Sequence, residues 1–218
     1  MPGHALLAVV FDMDGVLLDS QAAHLEAFRQ FVREHGATVD ETLLRRTFGM
    51  HNRDILPMLL GRPLPADERA RLADEKEALY RRLARGRLRE VPGARALVDA
   101  LAAAGIPLAV GSSGPRANVE LAVEELGMRG RFRALCTGDD IRHGKPDPEV
   151  FLLAAQRLGV EPEGCVVVED APEGVEAARA AGMRVLAVTT SRAAAQLGRA
   201  HRVVDSLVGL GVADLERV

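Results

Sequence analysis

Residues 6–15 read Leu-Leu-Ala-Val-Val-Phe-Asp-Met-Asp-Gly, an apolar run of strand length that stops at two aspartates and a glycine. A strand apolar at every position, rather than at alternate ones, is buried on both faces, as in a parallel sheet covered by helices. Runs of the same kind recur at residues 106–110, 132–136, 165–168, 185–188 and 203–204, and most are separated by segments with helical spacing. This alternation predicts a doubly wound α/β core built on a parallel sheet.

The alternation breaks between residues 20 and 87. There the apolar residues fall at helical spacing: Leu25, Phe28, Phe31 and Val32, then Leu43 and Leu44, then Leu72, Leu79 and Leu83. The pattern predicts an all-helical insert after the first strand. Asp19-Ser20 marks its start as a helix N-cap pair, and Gly86 through Val91-Pro92-Gly93 marks its end. The expected division is a Rossmann-like core of residues 1–18 and 88–218, with a helical cap domain of residues 19–87.

Composition narrows the class of partner. The 218 residues carry a net charge of -3, with 48% hydrophobic and 27% charged residues, a globular balance that excludes disordered and collagen-like chains. No basic excess is available for nucleic acid or an anionic membrane, so a small-molecule partner is expected, and a monomer is the default. The run at residues 5–11 is too short to span a bilayer and has no basic lead-in, so a cytoplasmic enzyme is expected. Cys136 and Cys165 sit in or beside strand-like runs and read as small buried residues. Of 28 basic residues only Lys76 and Lys145 are lysine, which singles out two positions where a compact ammonium is kept among arginines.

In open parallel sheets, ligands bind beyond the carboxyl ends of the strands. The first strand runs into Asp12-Met13-Asp14-Gly15, the second into Ser112-Ser113-Gly114, and the fourth into Glu169-Asp170. Four carboxylates in one crevice need compensation, which a divalent cation and a lysine supply. An all-oxygen ligand set without a His or Cys cluster suits Mg²⁺. Two aspartates two residues apart can divide the work into a nucleophile and a proton donor, and carboxylate nucleophiles suit phosphorus. Ser112-Ser113-Gly114-Pro115 leads from strand to helix, with Pro115 as the expected first helical residue, so backbone N–H groups and the Ser112 hydroxyl form a candidate phosphate cradle. In Gly144-Lys145-Pro146-Asp147-Pro148-Glu149, Asp147 reads as an N-cap and Pro148 as the first helical residue. That frame fixes Lys145, whose ammonium can neutralise nucleophile and phosphate together.

These four segments, Asp12-Met-Asp14-Gly-Val-Leu-Leu-Asp19-Ser20, Gly-Ser112-Ser, Gly-Lys145-Pro-Asp-Pro and Val-Val-Val-Glu169-Asp170-Ala-Pro-Glu-Gly174, together resemble the motif set of the haloacid dehalogenase superfamily. The resemblance spans the chain. It is strongest to the helical-cap branch that includes β-phosphoglucomutase and many sugar-phosphate phosphatases. It implies that Asp12 forms an aspartyl-phosphate, that Asp14 is the general acid/base, and that Ser112, Ser113 and Lys145 hold the phosphoryl group. It also implies Mg²⁺ on Asp12, Asp170 and the Asp14 carbonyl, with Glu169 helping directly or through water. The carboxylate at Asp14 argues against dehalogenation, because halide release needs no acid.

Within the cap the resemblance singles out His24, Arg53 in the turn Gly49-Met50-His51-Asn52-Arg53-Asp54, and Lys76 as substrate-binding candidates. Each has a structural alternative: His24 as a partly buried histidine, Arg53 bonded to Asp54 or Asp67, and Lys76 in an exposed ion pair one turn away. The arginine of the mutase turn aligns with Asn52, one residue before Arg53, which turns the side chain by roughly 100° on a helix. The expected activity is therefore Mg²⁺-dependent hydrolysis of a small phosphorylated metabolite, a sugar phosphate, with β-phosphoglucomutase as the alternative.

Overall fold

The computed structural model of the protein describes residues 6–47 and 52–218. The chain divides into two compact units, one comprising residues up to Asp19 together with Arg89–Val218, the other Ser20–Leu88. Strands follow in the order β1 (Ala8–Phe11), β2 (Leu18–Asp19), β3 (Arg89–Glu90), β4 (Leu108–Gly111), β5 (Ala134–Cys136), β6 (Cys165–Glu169), β7 (Arg184–Val188) and β8 (Arg202–Val204). Helices α1 (Gln21–Glu34), α2 (Glu41–Thr47), α3 (Asn52–Leu60) and α4 (Ala66–Ala84) make up the second unit. The first unit holds α5 (Ala94–Ala103), α6 (Arg116–Glu125), α7 (Glu149–Leu158), α8 (Pro172–Ala180) and α9 (Val212–Glu216).

The first unit is the doubly wound core. Its six-stranded sheet has the order β5-β4-β1-β6-β7-β8, with every neighbouring pair parallel. The chain leaves β1 for β4 and β5 on one side and then crosses to β6, β7 and β8 on the other, so the strand order reverses at β1. β1, β4 and β6 are buried along their whole length, as the continuous apolar runs require. Alternate residues of the strands, including Ala8, Val10, Val167, Val185 and Ala187, pack with Phe151 of α7 and Val175 of α8 in one apolar cluster.

Several local expectations shift. β4 begins at Leu108 rather than at residue 106, since Pro107 has no N–H to give a ladder. β2 and β3 form a two-residue antiparallel pair flanking the helical unit, too short to leave a periodic signature. Ser20 occupies the N-cap of α1 without making a capping bond from its side chain. Pro115 and Pro148 stand at the N-cap positions of α6 and α7, one place before the first helical turn. The Asp147 carboxylate still serves the end of α7, accepting the Glu149 N–H at 3.0 Å.

In the second unit Leu25, Phe28 and Val32 of α1 pack with Leu44, Ile55 and Leu59 of α2 and α3. Residues 49–51 of the turn singled out above lie outside the described residues, whereas Asn52, Arg53 and Asp54 open α3. Cys136 and Cys165 are both buried free thiols. Among the described residues no helix is long and apolar enough to cross a membrane.

Candidate active site

β4, β1 and β6 are neighbours in one parallel sheet, so whatever follows their carboxyl ends is brought together. Phe11 stands opposite Val110 on one side and Val168 on the other. Asp12 follows directly, its N–H donating to the Val168 carbonyl at 3.0 Å. Ser112 follows β4, while Glu169 closes β6 and Asp170 comes next. All four side chains are buried.

Lys145 arrives from the segment before α7, 133 residues away from Asp12 in the chain. Its Nζ donates to Asp12 Oδ1 at 2.5 Å and to Glu169 Oε1 at 2.6 Å, and it lies 4.7 Å from the centre of the Phe151 ring. Glu169 Oε2 accepts the N–H groups of Asp170 and Ala171 at 2.7 and 2.9 Å. Glu169 is thus fixed at both oxygens. Lys145 ties the nucleophile candidate to that fixed point.

The electrostatics show what this arrangement lacks. Burial pushes the Asp12 carboxyl up, opposed by Lys145 and reinforced by the negative charges of Glu169 and Asp14. Asp170 is likewise raised by burial and by Glu169 and Asp12. Burial would lower Lys145, but Asp12 and Glu169 outweigh it and hold the ammonium charged. One cation therefore faces three buried carboxylates, and positive charge is short.

Asp12, Glu169 and Asp170 offer oxygens that all lie within 4.8 Å of one another. An all-carboxylate set with this deficit of positive charge fits a hard divalent ion. The Asp14 carboxylate is not among these converging oxygens; Asp14 lies in the turn after β1, half-buried. Two glycines make the cluster possible. Gly15 has φ +83, and a Cβ on it would overlap Asp170 Oδ2; a Cβ on Gly174 would overlap Glu169 Oε1. Any side chain at either place displaces a carboxylate of the cluster.

The serine loop departs from the expected cradle. Gly114 N–H donates to Ser112 Oγ at 3.0 Å and Arg116 N–H donates to Asp139 at 2.9 Å, so these two amides at the start of α6 are already used. The Asp139 carboxylate of the 138–140 turn caps the Arg116 amide. What the loop offers instead is hydroxyls. Ser112 Oγ accepts from Gly114 and keeps its own O–H to donate, and Ser113 Oγ is buried with no hydrogen-bond partner among the described residues.

The helical unit gathers a second polar cluster. Lys76 is buried, and its Nζ lies 2.5 Å from Glu77 Oε1 and 4.8 Å from the Phe28 ring centre. Asn52 Nδ2 donates to the same Glu77 oxygen at 2.7 Å. The His24 ring stacks on Tyr80, 3.8 Å between centres and 5° from parallel. Burial pushes the Glu77 carboxyl up, but Lys76, His24 and the Asn52 amide outweigh it and bring it down to about 2. The exposed ion pair considered for Lys76 is replaced by a buried one with the adjacent residue. Arg53 remains half-exposed beside Asp54, at 3.8 Å. Glu77 was not singled out from the sequence, and Asn52 only as the place where the mutase turn has arginine. Helical spacing could have found the site, since Leu72, Lys76, Leu79 and Tyr80 fall on one stripe of α4.

A doubly wound sheet with a helical insert after β1 carries, at its strand ends, an acidic centre in which one lysine holds Asp12 and Glu169. The sequence profile of the haloacid dehalogenase-like hydrolases matches residues 6–182, and the chain belongs to that family. A phosphorylated carbohydrates phosphatase of Thermotoga maritima is 37% identical over 180 residues, covering 81% of this chain and 82% of that protein. The crystal structure of β-phosphoglucomutase from Clostridium difficile is similar with a TM-score of 0.85 at 26% identity, covering 97% of this chain and 96% of that one. CbbY from Rhodobacter sphaeroides, in complex with xylulose-(1,5)bisphosphate, is similar with a TM-score of 0.87 at 28% identity, covering 96% and 99%.

Proposed function

We propose that the protein is a Mg²⁺-dependent phosphatase that hydrolyses a singly phosphorylated sugar by way of a phosphoryl group carried on Asp12. The observation that carries this reading is the buried cluster of Asp12, Glu169 and Asp170 with Lys145 as its one bonded ammonium. In this reading Asp12 Oδ attacks phosphorus as the bond to the sugar oxygen breaks, and Asp14 gives that oxygen its proton. Asp14 then takes a proton from water, which attacks the aspartyl-phosphate and releases inorganic phosphate. Ser112 and Ser113 donate hydroxyls to phosphoryl oxygens while Lys145 offsets their charge. Asp12, Asp170 and the Asp14 carbonyl, with Glu169 in support, would hold Mg²⁺, which would supply the remaining positive charge.

The Thermotoga maritima relative, named as a phosphorylated carbohydrates phosphatase, supports the substrate class. The likeness to β-phosphoglucomutase favours a second reading, an isomerase that grips a bisphosphate. The helical unit weighs against it: the charge of Lys76 is balanced by Glu77, and Asn52, where the mutase turn has arginine, is bonded to that same carboxylate. A second phosphate would meet Glu77 as well as Lys76.

The test is to supply β-glucose 1-phosphate with Mg²⁺ and a trace of glucose 1,6-bisphosphate, then fructose 1-phosphate and other sugar monophosphates, following glucose 6-phosphate and free phosphate in parallel. Phosphate release from at least one monophosphate is expected, abolished by a chelator and restored by Mg²⁺. Conversion to glucose 6-phosphate without phosphate release would instead establish the mutase.

A further inference from the structure

β7 lies beside β6 in the sheet and ends at the same edge, and the residues just after it reach back to the acidic centre. Thr190 Oγ1 donates to the Gly15 carbonyl at 2.5 Å, and Ser191 Oγ donates to the Asp170 carbonyl at 3.1 Å. Gly15 and Asp170 are themselves packed against each other, with no room for a Cβ between them. Two consecutive hydroxyls therefore hold the two touching corners of the site, one on the turn that carries Asp12 and Asp14, the other on Asp170.

Asp170 is pinned at both ends of its backbone. Its N–H is taken by Glu169 Oε2, and its carbonyl is taken by Ser191. Without Ser191 the carbonyl end loses this partner, and the carboxylate can swing relative to Asp12. Mg²⁺ is intolerant of such play, because it demands near-octahedral oxygens at about 2.0–2.1 Å.

We infer that Thr190 and Ser191 are positioning residues for the divalent-ion site, a clasp that sets the spacing between the Asp12–Gly15 turn and Asp170. The inference rests on the reading of Asp12 and Asp170 as ligands of that ion. Its chemical basis is the general dependence of metal affinity on groups that orient the ligands, whose loss costs about 10–100-fold.

The test is calorimetric titration of the substrate-free protein with Mg²⁺, for the wild type and for Ser191→Ala, Thr190→Val and Ser191→Thr, alongside melting in chelator. Ser191→Ala is expected to weaken Mg²⁺ binding by about 10–100-fold, with Thr190→Val acting in the same direction. Ser191→Thr, which keeps the hydroxyl, should recover most of the affinity, and the chelated variants should melt close to the wild type. Unchanged Mg²⁺ affinity in Ser191→Ala, with the wild type binding, would overturn the clasp alone. Loss of affinity that merely follows a loss of chelated stability, without rescue by threonine, would overturn it in favour of a loop anchor. Failure of the wild type to bind Mg²⁺ would overturn the ion site itself and this inference with it.

Discussion

Asp12→Asn is expected to lower kcat by about 10⁴-fold or more, the scale of effect when a covalent nucleophile is removed. The amide keeps the shape of the side chain but cannot form the acyl phosphate. The protein should nevertheless fold as well as the wild type. In the absence of a divalent ion, three buried carboxylates compete for Lys145, and burial together with Glu169 and Asp14 makes the charge on Asp12 costly. The neutral amide relieves that repulsion while Lys145 keeps its bond to Glu169. In chelator the variant should therefore melt no lower than the wild type, which separates loss of chemistry from loss of fold. Retained turnover, measured as phosphate release at saturating substrate, would remove Asp12 from its role.

Lys145→Met produces the opposite combination. It leaves Asp12 and Glu169 buried without their bonded cation, beside a buried Asp170, and removing one partner of a buried pair costs about 3–5 kcal/mol. Stability in chelator should fall by about that much, read from urea unfolding, and Mg²⁺ should restore part of it, because the ion supplies positive charge to the same oxygens. Activity should fall by about 10²–10³-fold, since a fixed donor to the phosphoryl oxygens is gone. A variant that unfolds in chelator at the wild-type midpoint would show that Lys145 does not carry the charge balance of the cluster.

Much of this site was legible before the fold was seen, for a physical reason. Strands buried on both faces must be apolar throughout, so the polar residues that end each run mark the carboxyl edge of the sheet. That is why Asp12, Ser112, Glu169 and Asp170 could be assigned to one crevice, and Lys145 stood out as one of only two lysines. What escaped was contact between residues far apart in sequence. Asp139 captures the Arg116 N–H across 23 residues and closes an amide that loop sequence alone marks as open to an anion. Thr190 reaches Gly15 across 175 residues, and hydroxyls after a strand carry no signature of their own. Lys76 stands out in the sequence as a rare lysine, with an exposed ion pair as its alternative, whereas its position on the apolar stripe of α4 decides its burial. Local strings predict local caps well only when no distant side chain competes for the same N–H.

Whether Asp12 carries the phosphoryl group can be measured without the natural substrate. The Asp14→Asn protein, mixed with Mg²⁺ and acetyl phosphate, receives a phosphoryl donor whose leaving group needs little help from an acid but lacks the base that clears the intermediate. Rapid acid quenching followed by peptide mapping should find a stoichiometric phosphoryl group on the peptide containing residues 6–15, at Asp12. A phosphoryl group on Ser112 or Ser113 instead, or steady hydrolysis by Asp12→Asn with no phosphorylated aspartate in either variant, would contradict the account.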